Sequence, residues 1–522
     1  MAPKLLLLTV TLTASQLACL SHGFLVPGLS VRCRSSSGIS LQAAPPPIEN
    51  ELFPTSVKVG IIGAGSIAFG TASLLSSLGH DAMLWSPSGA GTKELIEQAQ
   101  SSATNNDVNA LIISKTQATG ALQVIEQAQP ASAASITSRI QSTGALSQAF
   151  DVRIARSTRE LVRSNDNILV FALPVNCHKD VMDRIVPDII ECIMESKQLM
   201  RIIISSHASL GAVYLLQRLR SEFHQLSRSS TSLSDFDDNI RITCWGTTAI
   251  TARRTSCTSV NVLTIRQVVD YCTVPFISKE DKNDVLLQKL FGPRFKYRDG
   301  GLLAISLSNL NPQNHLAIVL GNMSRMDPPP PPPPLNDMPV VDTTVELEIW
   351  YQGKCVSPKV GRLMEALDLE RINIAKELEI EVRTIHEHFS WSFHVPLETS
   401  LDTSADGDTL TRPLTVSEMN QQMHYYKKND VLGPTNPESR YVMEDVPYGL
   451  VLTVILGRLL NRPARLHESG IMILSAMYGR NFLVENEILQ GLGLIADDDL
   501  KVNAYTLQEW KDMACSGYFR ER

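Results

Sequence analysis

The segment Val57-Lys-Val-Gly-Ile-Ile-Gly-Ala-Gly-Ser-Ile-Ala-Phe-Gly70 is a short apolar run that ends in closely spaced glycines. Small residues with helical spacing follow from Thr71 to Leu78, and a second apolar run extends from Ala82 to Trp85. This order predicts a strand, a tight turn, a helix and another strand. The segment therefore predicts an α/β fold whose first strands belong to a doubly wound parallel sheet.

The glycines have the spacing of a dinucleotide-binding turn. Gly63 allows a sharp turn, Gly65 lets a pyrophosphate approach the backbone, and Ala68 is small enough for close packing of helix and strand. The N–H groups at the start of the helix would then face the phosphates. We predict a Rossmann-type domain with the cofactor-binding residues Gly63, Ala64, Gly65, Ser66, Ile67 and Ala68. A glycine-rich turn in an ordinary α/β domain is the alternative.

Ser86 follows the second predicted strand, where NAD-specific sites carry an acidic residue for the ribose 2′-hydroxyl. A hydroxyl there, with Lys93 a few residues further on, suits a 2′-phosphate better than a carboxylate would. We therefore count Ser86 and Lys93 among the cofactor-binding residues. We predict NADP(H) as the favoured cofactor and NAD(H) as the alternative. The competing interpretation is that Lys93 is only a solvated helix residue.

The composition of the 522-residue chain is that of an ordinary globular protein with room for two or three domains. The net charge is −7 and no basic stripe is present, which argues against nucleic acid as a partner. Beyond the amino terminus no apolar run is long enough to span a membrane, so no membrane contact is expected in the mature form. None of the nine cysteines forms a Cys-x-x-Cys pair, so neither a metal site nor a disulfide framework is expected.

Residues 1–50 have the pattern of a targeting presequence. Lys4 precedes an apolar run from Leu5 to Leu12, and small and polar residues follow as far as Gly23. The next segment, Phe24 to Ala44, is rich in serine, contains two arginines and has no acidic residue. Together the two parts resemble the bipartite presequence of algae with secondary plastids. A signal peptide, a transit peptide and a plastid location are therefore predicted, with simple secretion as the alternative.

Four further apolar runs predict strands that continue the sheet, namely Ile168 to Leu173, Met200 to Ser205, Ile240 to Cys244 and Val260 to Ile265. The Ala/Ser/Gln-rich stretch from Leu95 to Phe150 is predicted to form helices with an insertion on the rim. Ser227 to Asn239 is rich in Ser and Asp and predicts a disordered loop. Pro328 to Pro334 predicts a stiff spacer, with an SH3-type ligand as the alternative. From Val340 onward the pattern is mostly helical.

The motif Asn309-Leu-Asn-Pro-Gln-Asn-His315 precedes a segment with helical spacing. Asn311 suits the N-cap position and Pro312 the first helical position, so His315 is expected in the first turn of a helix. A histidine near the positive end of a helix is suited to carry protons near pH 7. A purely structural histidine is the alternative.

The predicted helix Arg362 to Leu378 has an apolar stripe of leucine and isoleucine side chains. Asp368 lies at the edge of this stripe and Arg371 lies within it. Charged groups on a core-facing side are costly unless they are paired or functional. The simple explanation is an i, i+3 ion pair that closes on itself. The alternative is that Asp368 orients His315 and Arg371 holds a carboxylate or phosphate.

A further polar segment, Arg440 to Leu452, predicts by itself only a loop that caps the next helix. Together, however, these motifs resemble the opine dehydrogenase family, which includes octopine and nopaline dehydrogenases. The elements in family order are Gly63 to Gly70, Asn309 to His315, Ala366 to Ala375, Glu444 to Gly449 and Gly491 to Leu494. The resemblance implies a Rossmann domain at 51–305 and an α-helical domain at 306–522, with a polyproline insert at 327–342 and the active site between the domains. The family usually has proline directly after the histidine, where this chain has Leu316.

The resemblance also implies an NAD(P)H-dependent dehydrogenase acting on CH–NH bonds. Such an enzyme joins the amino group of an amino acid to a 2-oxo acid and reduces the imine. His315 matches the family's catalytic histidine, and Asp368 matches its dyad partner. The expected substrate-binding residues are Asn311, Arg371 and Arg440, with Arg253 and Arg254 as further candidates for carboxylates. The expected partners are these small molecules, and the expected state is a monomer or homodimer.

Two other functions stay open at this point. A related reductase of a 2-oxo acid or polyol phosphate, of the ketopantoate reductase or glycerol-3-phosphate dehydrogenase type, would act without an amine. A non-catalytic dinucleotide-binding protein would bind the cofactor without turnover.

Overall fold

The glycine loop joins the first strand, β1 (Lys58–Ile62), to the first helix, α1 (Ser66–Ser77), as the sequence predicts. The computed structural model describes residues 56–100, 136–205, 209–227, 233–276, 284–327, 349–400, 411–426, 430–496 and 499–519. All of them belong to one unit, which begins at Pro54. Contacts between the sheet and the helical region therefore lie within a single body.

Within the described ranges, eleven strands form one mixed sheet. After β1 they are β2 (Asp81–Trp85), β3 (Ile136–Gly144), β4 (Gln148–Ile154), β5 (Ile168–Phe171), β6 (Met200–Ile204), β7 (Ile240–Trp245), β8 (Ile250–Ser256), β9 (Ser259–Ile265), β10 (Val269–Val274) and β11 (Phe295–Tyr297). Their spatial order is β11-β10-β7-β6-β5-β1-β2-β4-β3-β9-β8. The central strands β4, β2, β1, β5, β6 and β7 run parallel. This is the predicted doubly wound arrangement, in which ligands bind at the carboxyl ends of the strands.

The central strands confirm the predictions made from their apolar runs. All four residues of β5 are buried, and four of the five residues of β6 are buried. A strand that is covered by helices on both faces needs a nearly continuous apolar sequence. The local sequence therefore suffices to place the strands that form the carboxyl edge of the sheet.

Between Leu95 and Phe150 the described residues are 95–100 and 136–150, and the prediction of helices is wrong for 136–150. A helix covers 90–100, but β3 and β4 form an antiparallel hairpin. Buried and exposed residues alternate along β3, with Ile136 and Ile140 buried. This two-residue period is the strand signal, and the Ala/Ser/Gln-rich composition obscured it.

The edge strand β8 packs on α1, next to the glycine loop. A Cβ added to Gly70 would lie 2.4 Å from Ile250 Cδ1 and 2.9 Å from Ala252 Cβ, so glycine permits this close approach. Ile250 and Ala252 are both buried. The edge strand β8 therefore packs on the helix that follows β1.

The rest of the described chain is built mainly from helices. They are α2 (90–100), α3 (Thr158–Arg163), α4 (His178–Ser196), α5 (Ser209–Leu226), α6 (Leu233–Asp238), α7 (Val285–Phe291), α8 (Gly301–Ser308), α9 (Asn311–Met326), α10 (Gln352–Cys355), α11 (Pro358–Glu377), α12 (Ile385–Phe393), α13 (Val416–Tyr425), α14 (Arg440–Met443), a π-helical turn (Asp445–Leu450), α15 (Val451–Leu459), α16 (Arg465–Tyr478), α17 (Glu487–Gly491) and α18 (Leu507–Ser516). Two short ribbons, Glu398–Ser400 with Thr411–Pro413 and Ile495–Ala496 with Asp499–Leu500, interrupt the helical region. The predicted helical C-terminal domain is confirmed. No helix in these ranges has both the length and the apolar character needed to cross a membrane.

The predicted disordered loop from Ser227 to Asn239 is wrong in its second half, which forms α6. Arg220 Nε on α5 donates to Asp237 Oδ1 at 3.0 Å and ties this helix to its neighbour. The predicted presequence and the run Pro328 to Pro334 lie outside the described residues. The predicted domain boundaries stay predictions.

Candidate functional site

His315 lies on α9, close to the start of the helix. The helix begins at Asn311, so Asn311 is its first residue, and Leu310 rather than Asn311 occupies the cap position. The backbone N–H of Asn311 donates to the side-chain oxygen of Asn309 at 3.2 Å. The predicted cap is therefore shifted by one residue, and His315 comes just after the first turn.

The imidazole of His315 is hydrogen-bonded to the carboxylate of Asp445. Nδ1 and Oδ2 are 2.6 Å apart, and the side chains are 17% and 5% exposed, respectively. A carboxylate oxygen accepts, so we assign the Nδ1 proton to this bond, which leaves Nε2 to exchange a proton with a bound molecule. A histidine oriented in this way by a carboxylate is suited to general acid–base chemistry.

Asp445, which bonds His315, is the first residue of a widened, π-helical turn. The segment is helical from α14 through the π-helical turn into α15, so the predicted capping loop is wrong. A Cβ on Gly449 would lie 2.3 Å from Pro312 Cγ, so this glycine lets the turn pack against the start of α9. The contact joins two residues that are 130 positions apart in the chain. Single π-helical turns are frequent at functional sites.

The ring of Tyr441 covers one face of the His315 imidazole. The ring centroids are 3.5 Å apart and the planes differ by 7°. The amide of Gln352 donates to the Tyr441 hydroxyl. Burial raises the pKa of Tyr441 to about 12, against the smaller opposing effects of Gln352 and of the Arg253 and Arg440 charges. Tyr441 is therefore a neutral group at pH 7, and two arginines lie within electrostatic reach of it.

Asp368 binds Arg371 on its own helix, α11, and not the histidine. Its Oδ1 accepts from Arg371 Nε at 2.9 Å and from Nη2 at 2.6 Å, and its Oδ2 accepts from the Ile385 N–H at 2.8 Å. Arg371 is fully buried and also donates to the carbonyls of Leu307 and Arg383. The predicted pairing of Asp368 with the histidine is therefore wrong. Arg371 is enclosed by internal partners, so the prediction that it binds substrate is wrong as well.

Arg440 and Glu444 form a half-open pair beside the same turn. Arg440 Nε donates to Glu444 Oε1 at 2.8 Å, and the two side chains are 62% and 5% exposed. Burial raises the pKa of Glu444, and the positive charge of Arg440 opposes this shift. The Glu444 carboxylate also accepts from the backbone N–H of Val175, which follows β5. The pair connects the helical region to the carboxyl edge of the sheet and leaves the Arg440 guanidinium accessible.

The glycine loop has a shape that fits a dinucleotide. Gly63 has a φ of +134°, and a Cβ there would lie 2.6 Å from the Ala172 carbonyl oxygen. Gly65 is the N-cap of α1 without a side-chain cap, and no described atom lies within 4 Å of the place its Cβ would take. The N–H groups of the first helical turn therefore lack a side-chain acceptor at the cap and have open space beside them. A pyrophosphate fits this position.

The two residues predicted to select NADP(H) have partners within their own segment. Ser86 is buried, and its hydroxyl accepts from the Gly91 N–H at 3.3 Å. Lys93 is exposed and lies 4.0 Å from Glu97, one helical turn away. These contacts are typical of a turn-stabilising serine and a solvated lysine. The preference for NADP(H) stays a prediction.

Several polar groups of the site had no clear signal in the sequence. Asp445 and Tyr441 lie in the segment Arg440 to Leu452, which by itself predicted only a capping loop, and Gln352 belongs to no motif that we singled out. The buried atoms Asn309 Nδ2 and Gln313 Oε1 lack hydrogen-bond partners in the described part of the chain, and both residues line a small cavity between α5 and the start of α9.

Among the described residues, no three histidine, cysteine or carboxylate side chains are grouped so that they could hold a metal ion.

One body thus contains a glycine loop shaped for a dinucleotide and a hydrogen-bonded histidine–aspartate pair. The helical region matches a family model described as the alpha-helical domain of NAD/NADP octopine/nopaline dehydrogenase, over residues 298–478. An opine dehydrogenase from Arthrobacter sp. (strain 1C) is 29% identical over 193 residues. That match covers 37% of this chain and 44% of the relative, so it spans less than half the length of the relative.

Solved structures of octopine dehydrogenase share the fold. One, with NADH and L-arginine, has a TM-score of 0.54 and 13% identity, and the match covers 89% of this chain and 99% of the other. Another, with NADH and agmatine, has a TM-score of 0.55 with the same identity and coverage. The family model and the curated relative support an opine dehydrogenase-like family, and the solved structures show the shared fold. At a coarser level they support an NAD(P)-dependent oxidoreductase.

Proposed function

We propose that this chain is an NAD(P)H-dependent enzyme of the opine dehydrogenase type, which joins an amino acid to a 2-oxo acid and reduces the imine. The observation that carries the proposal is the 2.6 Å hydrogen bond between His315 and Asp445, in a domain that matches the octopine/nopaline dehydrogenase model. Octopine dehydrogenases of this fold have been solved with L-arginine and with pyruvate, which are an amino acid and a 2-oxo acid, the two compound classes proposed here.

A nicotinamide dinucleotide, when bound, supplies the hydride for this reaction. Gly63, Gly65 and the first turn of α1 are suited to hold its pyrophosphate. We propose NADP(H) over NAD(H) on the basis of Ser86 and Lys93, although neither is free of local contacts. The ratio of the Michaelis constants for NADPH and NADH tests this preference, and a clear preference for NADH would refute it.

Proton transfer falls to His315. Joining an amine to a carbonyl carbon releases water, and this requires a group that gives and takes protons near neutral pH. The Asp445 carboxylate accepts the hydrogen bond from Nδ1–H and stabilises the imidazolium form, so Nε2 is the atom that meets the substrate. Tyr441, stacked on the imidazole, covers one face of the ring and limits the directions from which water can approach.

Arginines of the site are the proposed partners of the substrate carboxylates. Arg440 is 62% exposed beside Asp445, and Arg253 on β8 is exposed and acts electrostatically on Tyr441. A substrate pair that carries two carboxylates suits two accessible guanidinium groups. Asn311, at the start of α9, stays a predicted contact.

The experiment follows NADPH oxidation by the protein with pyruvate and a panel of amino acids, each with a control that contains the oxo acid alone. His315→Ala is expected to lower turnover by about 10²–10⁴-fold. The matched control is His424→Ala, because His424 also forms a histidine–aspartate pair, with Asp430 at 2.8 Å. Loss below about tenfold in His315→Ala would exclude a general acid–base role. Equal turnover without the amino acid would favour a 2-oxo acid reductase instead.

We also propose a plastid location, which depends only on the pattern of residues 1–50. The apolar run followed by an acid-free, serine-rich segment supports it. A fluorescent protein fused behind these residues is expected to enter the plastid of an alga with a secondary plastid. Export of the fusion from the cell would support secretion instead.

A further inference from the structure

An arginine from the edge strand of the sheet reaches the dinucleotide loop. The guanidinium of Arg254, on β8, donates to four backbone carbonyls. Nη1 donates to Ala64 at 2.9 Å and to Gly91 at 3.1 Å, while Nε donates to Ser256 at 2.9 Å and Nη2 to Cys257 at 3.2 Å. Ala64 belongs to the glycine loop and Gly91 to the start of α2, so one side chain links these two segments.

Other contacts fix Arg254 on the first turn of α1. Its backbone N–H donates to Ser66 Oγ at 2.9 Å, and its guanidinium carbon lies 4.5 Å from the centre of the Phe69 ring. The approach of β8 to this helix depends on Gly70, where any side chain would meet Ile250. Main-chain, cation–π and packing contacts therefore place the same arginine beside the loop.

The two segments that Arg254 links are themselves in close contact. A Cβ on Gly91 would lie 2.7 Å from Ala64 Cβ, and the Gly91 N–H is bonded to Ser86. Ala64 directly precedes Gly65, so this contact lies next to the part of the loop where a pyrophosphate and the adjoining ribose would lie. Because four of the five guanidinium N–H groups are used within the protein, Arg254 has little capacity left to bind a phosphate directly.

We infer that Arg254 is a positioning residue for the dinucleotide, which holds the glycine loop and the start of α2 at the spacing that receives the pyrophosphate and the adenosine ribose. Its charge adds a favourable potential for phosphate at the same place. The inference rests on the proposed dinucleotide function. Lysine is not an adequate substitute, because a single ammonium group cannot span carbonyls in four places.

The test compares Arg254→Lys and Arg254→Gln with a control, Arg139→Gln. Arg139 lies on β3 and bonds Asp151 across the exposed hairpin at 3.1 Å. Dissociation constants are measured for NADPH, NADH and ADP-ribose by calorimetry. Amide hydrogen exchange is measured on the ligand-free proteins at residues 63–67 and 89–92. Melting temperatures verify that each variant is folded, and Arg254→Lys is the milder change if Arg254→Gln does not fold.

Both Arg254 variants are expected to weaken binding of all three ligands at least tenfold and by similar factors. Exchange should become faster in both segments before any ligand is added, while Arg139→Gln stays within twofold of wild type. Weakened NADPH binding with unchanged NADH binding would make Arg254 a direct 2′-phosphate ligand and overturn the inference. Unchanged exchange or unchanged affinity would overturn it as well. Wild-type protein that binds none of the three ligands would instead refute the proposed function.

Discussion

Two buried aspartates, Asp368 and Asp445, are each bonded to a basic side chain, but only the partner of Asp445 is accessible to a ligand. Asp368 and Arg371 are neighbours on one helix, with side chains that are 4% and 0% exposed. His315 and Asp445 come from segments 130 residues apart, and 17% of the histidine side chain is exposed. The first pair has internal partners on every side, whereas the second leaves one imidazole nitrogen for a ligand.

The comparison shows that a charge on a core-facing helix position does not by itself mark a functional site. Arg371 binds one carboxylate and two carbonyls, so its charge is compensated inside the protein. Burial lowers the pKa of Arg371, while Asp368 opposes this shift. Removing such a partner should affect stability first. Removing the partner of an accessible histidine should affect chemistry first.

Asp445→Asn is expected to have the largest effect on the proposed reaction, a fall in turnover of about 10²–10⁴-fold. An asparagine amide can donate to Nδ1 of His315 and so hold the imidazole in the wrong tautomer. Asparagine has nearly the same shape as aspartate, so the fraction of the variant protein that is folded should stay close to that of wild type. Turnover is measured as NADPH oxidation at saturating substrate, with circular dichroism as the control for folding. A loss smaller than about tenfold would remove Asp445 from the acid–base pair.

Asp368→Asn is expected to act on the fold, with a loss of about 3–5 kcal/mol in the free energy of unfolding. The reason is that the guanidinium of Arg371 stays buried while the charge that compensates it is gone. Urea unfolding, followed by tryptophan fluorescence, gives this difference. Turnover per folded molecule should change far less than in Asp445→Asn. A variant as stable as wild type that had lost turnover would reverse the roles assigned to the two aspartates.

Most of the sheet could be predicted because its signals are local. The apolar runs of β5 and β6 and the spacing of Gly63 and Gly65 determine the strands and the turn between them without reference to distant residues. The β3–β4 hairpin was missed because its apolar positions alternate within a polar composition typical of helices. In this hairpin the two-residue alternation of buried and exposed positions indicates strands, and the composition does not.

The candidate site could be predicted only in part, for the opposite reason. The helix start that carries His315 follows from its own sequence, but the choice between Asp368 and Asp445 as its partner depends on how distant helices pack. The turn that carries Asp445 packs closely on the start of α9 through Gly449 and Pro312, and no spacing along the chain indicates this packing. Asp368 and Arg371 are three residues apart, so on a helix their side chains can reach each other. A local ion pair was therefore the simpler explanation for these two charges, and the structure has it.

A third ion pair, Arg412 with Glu418, is exposed and should show the smallest effect. Glu418 also completes the capping box of α13 with Thr415, and the hydrogen bond from Arg412 lowers the pKa of Glu418 from 4.5 to about 2. With a lowered pKa in the folded state, its contribution is present above pH 4.5 and is lost as the pH falls towards 2.

Glu418→Gln is accordingly expected to cost about 0.5–1 kcal/mol at pH 6, since the side chains of Arg412 and Glu418 are 42% and 38% exposed and water screens the pair. The difference in unfolding free energy between variant and wild type should shrink by at least half at pH 3, where Glu418 in the unfolded chain is already protonated. Paired urea titrations at the two pH values measure it. A difference that stays constant between pH 6 and pH 3 would mean that the charge of Glu418 contributes nothing. In that case only the neutral hydrogen bonds of the capping box would matter.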